Sequence, residues 1–184
     1  MNHDGRPVVF DLDGTLVRLA GDWDAVAAAA RAALHERGVD PPRDLWTILE
    51  VADEAGHRPA VERVIARHER EGARRSERLP AADTVPGSSG GPIAVGVCTL
   101  NCEEAARLAL ETHGIAGVDR DAVVGRDTVA TEKPDPEPLL ETIRRLDADP
   151  ASALFVGDGE RDERTADRAG VDFLYVSEWL RAYR

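Results

Sequence analysis

Val8-Val9-Phe10-Asp11-Leu12-Asp13-Gly14-Thr15-Leu16 is the stretch on which the reading of this chain turns. The apolar run Val8–Phe10 has the character of a short buried strand. It ends on two carboxylates two residues apart, which in an extended segment point the same way. Gly14 follows and allows a tight turn that a residue with a Cβ would resist. Two acids aimed together from the end of an apolar strand repel each other unless a cation or a shared proton lies between them. The stretch therefore suggests a site for a divalent cation with a carboxylate at its centre. The plainer alternative is an Asp-Gly turn carrying a second acid.

Outward from this stretch, strands and helices alternate. After a short connection over residues 17–21, apolar spacing predicts helices over 23–37, from Pro41 or Pro42 to Gly56, and over 59–71. Asp22 is placed to cap the first of them. These helices form a compact insert, residues 22–76. Residues 72–92, rich first in Arg and then in Pro, Gly and Ser, read as a linker, with Ser88–Gly91 a loop. Strands are then expected over 93–99, 122–124, 153–156 and 173–176, separated by helices over 103–113, 136–146 and 163–169, with a short tail to Arg184. The predicted fold class is α/β: a Rossmann-like, five-stranded parallel sheet with helices on both faces, plus a small α-helical insert. The core is expected to comprise residues 1–21 and 77–184. In such sheets a ligand lies beyond the carboxyl ends of the strands.

Three further stretches place chemistry-bearing residues at those ends. Ile93-Ala94-Val95-Gly96-Val97-Cys98-Thr99 delivers a hydroxyl to a helix entrance, where it could meet an anion or simply cap the helix. Read alone, the cap is favoured; Asn101 is a second cap candidate and a weaker ligand candidate. Thr131-Glu132-Lys133-Pro134-Asp135-Pro136 holds Lys133 between turn-forming residues. Lys133 is the sole lysine among 23 basic residues. That makes it hard to dismiss as a routine surface lysine, because a compact ammonium and a guanidinium are not interchangeable. Leu154-Phe155-Val156-Gly157-Asp158-Gly159-Glu160-Arg161-Asp162 is a second apolar strand delivering acids, Asp158 and Asp162.

Taken together and in this order, these stretches resemble the four motifs of the haloacid dehalogenase superfamily, with the D-x-D-G-T form of its phosphatases in the first. The resemblance spans residues 6 to 177 and places the insert where the family's type 1 helical caps sit. It implies hydrolysis of a phosphate monoester through an aspartyl-phosphate on a small phosphorylated metabolite. On this reading Asp11 is the nucleophile, Asp13 the general acid and base, and Thr99 and Lys133 the phosphoryl ligands. Mg²⁺ is held by Asp11, Asp13 through its carbonyl, Asp158 and Asp162, the last directly or through water. Among relatives, a haloacid dehalogenase lacks the second acid. A phosphonoacetaldehyde hydrolase uses a cap lysine, and this insert has none. A phosphosugar mutase of the same family is the enzymatic alternative. A catalytically idle phosphate- or protein-binding module is the non-enzymatic one.

Composition sets outer bounds. The chain has 184 residues and a formal net charge of −12, which argues against nucleic acid or an anionic membrane as partner. No window approaches a membrane span and the first residues lack a leader's shape, so a cytoplasmic protein is expected. Cys98 and Cys102 read as free thiols. The acidic, lysine-poor composition fits a high-salt source, although a GC-rich genome would also favour Arg over Lys. The oligomeric state is not legible.

Overall fold

The computed structural model describes residues 5–41, 43–86 and 93–182. Its elements in chain order are β1 (Val8–Phe10), β2 (Val17–Arg18), α1 (Trp23–His35), α2 (Leu45–Glu54), α3 (Arg58–Ala73), β3 (Glu77–Arg78), β4 (Val95–Cys98), α4 (Glu103–Thr112), β5 (Val123–Val124), α5 (Glu137–Arg145), β6 (Leu154–Gly157), α6 (Glu160–Ala169), β7 (Asp172–Tyr175) and α7 (Val176–Ala182). The main sheet is five-stranded, in the order β5-β4-β1-β6-β7, and every pairing in it is parallel. The α/β, Rossmann-like expectation holds.

β1 is central and wholly buried, which explains its unbroken apolar sequence. Its alternation divides the core. Val8 and Phe10 face α4 and α7 with Leu110 and Trp179. Val9 faces α5 and α6 with Leu139, Ile143 and Ala166. Phe10 lies level with Val97 of β4 and Val156 of β6, so the residues just beyond all three strands share one rim. The order of strands reverses around β1 and β6, where such sheets leave a crevice.

Helices α1, α2 and α3 have an apolar cluster of their own, built on Val26, Ala30, Leu34, Ile48, Leu49, Val61 and Ile65. Asp22 caps α1 as expected, accepting from Ala25 N at 3.0 Å. The second helix begins later than expected. Asp44, not a proline, starts it, accepting from Thr47 N at 2.9 Å and so satisfying an N–H that proline would leave to solvent.

Four other expectations need correction. The 17–21 connection contains β2, and the 72–92 linker contains the end of α3, then β3 and a 3-10 turn at Pro80–Thr84. β2 and β3 pair antiparallel, and Ala81, Ala82 and Val85 enter the main core, which orders a stretch that composition alone marks as loop. Residues 87–92, including the expected Ser88–Gly91 loop, lie outside the described residues. α6 starts at Glu160 rather than Glu163. The tail is a helix, α7, anchored by Trp179, whose ring meets Phe10 edge-on at 5.2 Å and whose indole N–H donates to Thr84 Oγ1 at 2.7 Å.

Candidate active site

Asp11 is the first residue past β1. Its backbone N–H continues the ladder to Val156 O at 2.8 Å, which fixes where its carboxylate stands. Lys133, from the loop before α5, reaches the same point. Its Nζ lies 2.7 Å from Asp11 Oδ1, 2.6 Å from Asp162 Oδ1 and 3.2 Å from Cys98 O. Lys133 as a whole is 3 % exposed. Burial works against the charge of its ammonium, but Asp11 and Asp162 outweigh burial and hold it protonated well above the ordinary lysine range.

One amine does not balance the acids around it. Asp11, Asp158 and Asp162 each offer an oxygen within 4.8 Å of the others. Burial pushes the Asp11 carboxyl up to about 7 against the pull of Lys133, with Asp162 and Asp158 adding to the rise. Asp158 is raised by burial and by Asp162. A cluster of hard oxygens with surplus negative charge, and with proton affinity raised at Asp11 and Asp158, suits a small divalent cation. Gly14 makes the convergence possible. Its φ is +88°, and a Cβ there would lie 2.2 Å from Asp158 Oδ2. Asp162 has a second duty, accepting from Gly159 N at 3.3 Å at the start of α6.

Asp13 sits beside the cluster, on the turn after β1. Its Oδ1 accepts from Leu19 N at 2.8 Å, which orients the carboxyl, and burial raises its proton affinity. Thr99 lies past β4 and is buried. It does not cap α4. Its Oγ1 donates to Asn101 Oδ1 at 3.1 Å and accepts from Asn101 N at 3.2 Å. Asn101 is not the cap either. The N–H groups at the start of α4 are taken by acids from elsewhere: Cys102 N donates to Glu69 Oε2 at 2.9 Å and Glu103 N to Asp127 Oδ1 at 2.8 Å. All six sequence-predicted residues, Asp11, Asp13, Thr99, Lys133, Asp158 and Asp162, line one cavity of about 550 Å³. Its far wall is the helical insert, with Trp23, Leu45, Leu49 and Ile65.

Comparison with known proteins fits this arrangement. Residues 90–176 match the family described as Haloacid dehalogenase-like hydrolase. The phosphoglycolate phosphatase of Cereibacter sphaeroides is 34 % identical over 197 aligned residues, covering 95 % of this chain and 86 % of that protein. The chain belongs to the haloacid dehalogenase-like hydrolases. The N-acetylmuramic acid 6-phosphate phosphatase of Pseudomonas putida is 32 % identical, covering 90 % of this chain and 80 % of that one. Among solved structures, a hydrolase from Pseudomonas syringae superposes with a TM-score of 0.65 at 20 % identity, covering 91 % and 82 % of the two chains, and so shares the fold.

Two residues of this haloacid dehalogenase-like hydrolase were missed by sequence reasoning. Glu69 and Arg126, 2 % and 3 % exposed, also line the cavity and bond to each other. Glu69 left a signal: it follows Val61 and Ile65 at four-residue spacing, a charge on an apolar stripe. Arg126 left only its place just after a strand. No described helix is long and apolar enough to cross a membrane.

Proposed function

We propose that the protein hydrolyses the phosphate monoester of a small metabolite through an aspartyl-phosphate on Asp11. The observation that carries this reading is the meeting of Asp11, Lys133, Asp158 and Asp162 at one rim of the sheet. The names of the relatives support the substrate class, since phosphoglycolate and N-acetylmuramic acid 6-phosphate are both monoesters.

Asp11 attacks phosphorus in line and the bond to the leaving oxygen breaks. Asp13, held by Leu19 N–H and with its proton affinity raised by burial, donates a proton to that oxygen. It then takes a proton from the water that cleaves the acyl phosphate. Lys133 steadies the Asp11 carboxylate, and a phosphoryl oxygen would take the place of the Cys98 carbonyl, the longest of its three contacts. Thr99 Oγ1 provides a second contact. Asp11, the Asp13 carbonyl and Asp158 would hold Mg²⁺, with Asp162 supporting it directly or through water. The bound ion would offset the mutual repulsion of the acids and the charge of the phosphoryl group. Residues 22–76 form a cap over a catalytic core of 1–21 and 77–184, and the cap wall of the cavity reads the organic part of the substrate.

The test is turnover of p-nitrophenyl phosphate with and without Mg²⁺, by wild type and Asp11→Asn. Metal-dependent turnover lost in Asp11→Asn is the expected result. Undiminished turnover in that variant would remove Asp11 as the nucleophile.

A further inference from the structure

Helix α3 carries Arg58, Glu62 and Glu69 on one face, and together they meet both loops of the candidate phosphoryl site. Arg58 Nη2 lies 3.1 Å from Glu132, the residue before Lys133, and 3.4 Å from Glu62. Glu62 and Glu69 both accept from Arg126, at 2.9 Å and 2.7 Å. Arg126 also donates to the carbonyl of Leu100, and its backbone N–H donates to Asn101 O at 3.0 Å. From the other side Glu69 accepts from Cys102 N at 2.9 Å and from Asn101 Nδ2 at 3.4 Å. The loop that carries Thr99 is thus gripped at Leu100, Asn101 and Cys102.

Stability does not account for this choice of residues. Buried ion pairs contribute little over well-packed apolar side chains, because desolvation consumes most of the Coulombic gain. A guanidinium bonded to two carboxylates and a carbonyl does fix direction, through its planar fork. We propose that Glu69 and Arg126 are positioning residues that hold the Thr99–Cys102 loop in its phosphoryl-binding shape from the helical insert. This rests on the hydrolase reading above. It also makes α3 part of the phosphoryl site rather than a freely rocking lid: when α3 moves, the Thr99 loop loses its brace.

The test compares wild type, Glu69→Gln and Arg126→Lys in the presence of Mg²⁺. It reads KM and kcat for p-nitrophenyl phosphate, the inhibition constant of inorganic phosphate, and Tm. Displacing the loop weakens contact with the phosphoryl oxygens, which inorganic phosphate shares with the ester. KM and the phosphate inhibition constant are therefore expected to rise together, by roughly tenfold. Lower Tm with an unchanged phosphate constant would reduce the pair to a structural role and overturn the proposal. A KM that rises while the phosphate constant stays put would place the pair against the organic part of the substrate, and would also overturn it. If Glu69→Gln does not fold, Arg126→Lys decides; if neither folds, the pair is a stability element and the proposal falls. A wild type that neither turns over the ester nor binds phosphate would instead refute the proposed function.

Discussion

Lys133 shows how much one side chain can settle. It is buried, it touches two carboxylates and a carbonyl, and its ammonium also lies 5.5 Å from the Phe155 ring centre. Arg keeps the charge but brings a wider, planar head to a space that fits three converging bonds on one nitrogen. Lys133→Arg is therefore expected to lower kcat/KM for p-nitrophenyl phosphate by about a hundredfold or more, the loss seen when a preorganised charge is displaced. Lys133→Met should in addition lose about 3 kcal/mol in urea unfolding without added metal, since two buried acids are left without their partner. The cysteines show the opposite case. Cys98 and Cys102 are buried free thiols, each pushed up to about 12 by burial, so the native protein should react with a disulfide reagent at pH 8 far more slowly than the unfolded chain.

At the scale of elements, α4 and α7 make the clearest predictions. Glu103 opens α4 and accepts from Thr128 Oγ1 at 2.8 Å and from Arg107 Nε at 2.9 Å. Burial alone would raise its proton affinity, but these two donors outweigh burial and lower it. A carboxylate with a depressed pKa adds stability above its unfolded value, near 4.3, and loses it as pH falls through the folded value. Wild type should exceed Glu103→Gln by at most about 1 kcal/mol at pH 7, given solvent screening, and the gap in urea midpoints should close below about pH 4. Trp179→Ala should cost about 3–5 kcal/mol, because it empties a fully buried site against Phe10 and frees Thr84 from its indole donor. That cost is the measure of what the sequence concealed. β1, β4 and β6 were legible because buried parallel strands read as apolar runs, and the acids were legible because they end those runs. α7 was not, since seven residues with one anchoring Trp carry too little periodicity. β2 and β3 were hidden because two-residue strands leave no alternation to read. Glu69 and Arg126 matter through partners that lie 57 residues apart, and only the fold brings them together.

At the scale of the molecule, the formal charge of −12 sits on a chain that must draw in an anion. Repulsion among surface carboxylates is long-ranged in dilute buffer, while the Debye length shrinks to about 3 Å in molar salt. Tm should therefore rise between low salt and molar KCl, and a Tm unmoved by salt would count against a high-salt origin. The same screening should leave the Lys133–Asp11 pair largely untouched, because it is shielded from solvent.

The solitary lysine has a practical consequence. An amine-acylating reagent has one side-chain target in the whole chain, and the fold covers it almost completely. Labelling of that position would count how often the pocket breathes open, and a bound phosphate analogue should slow the count without any spectroscopic tag having to be introduced.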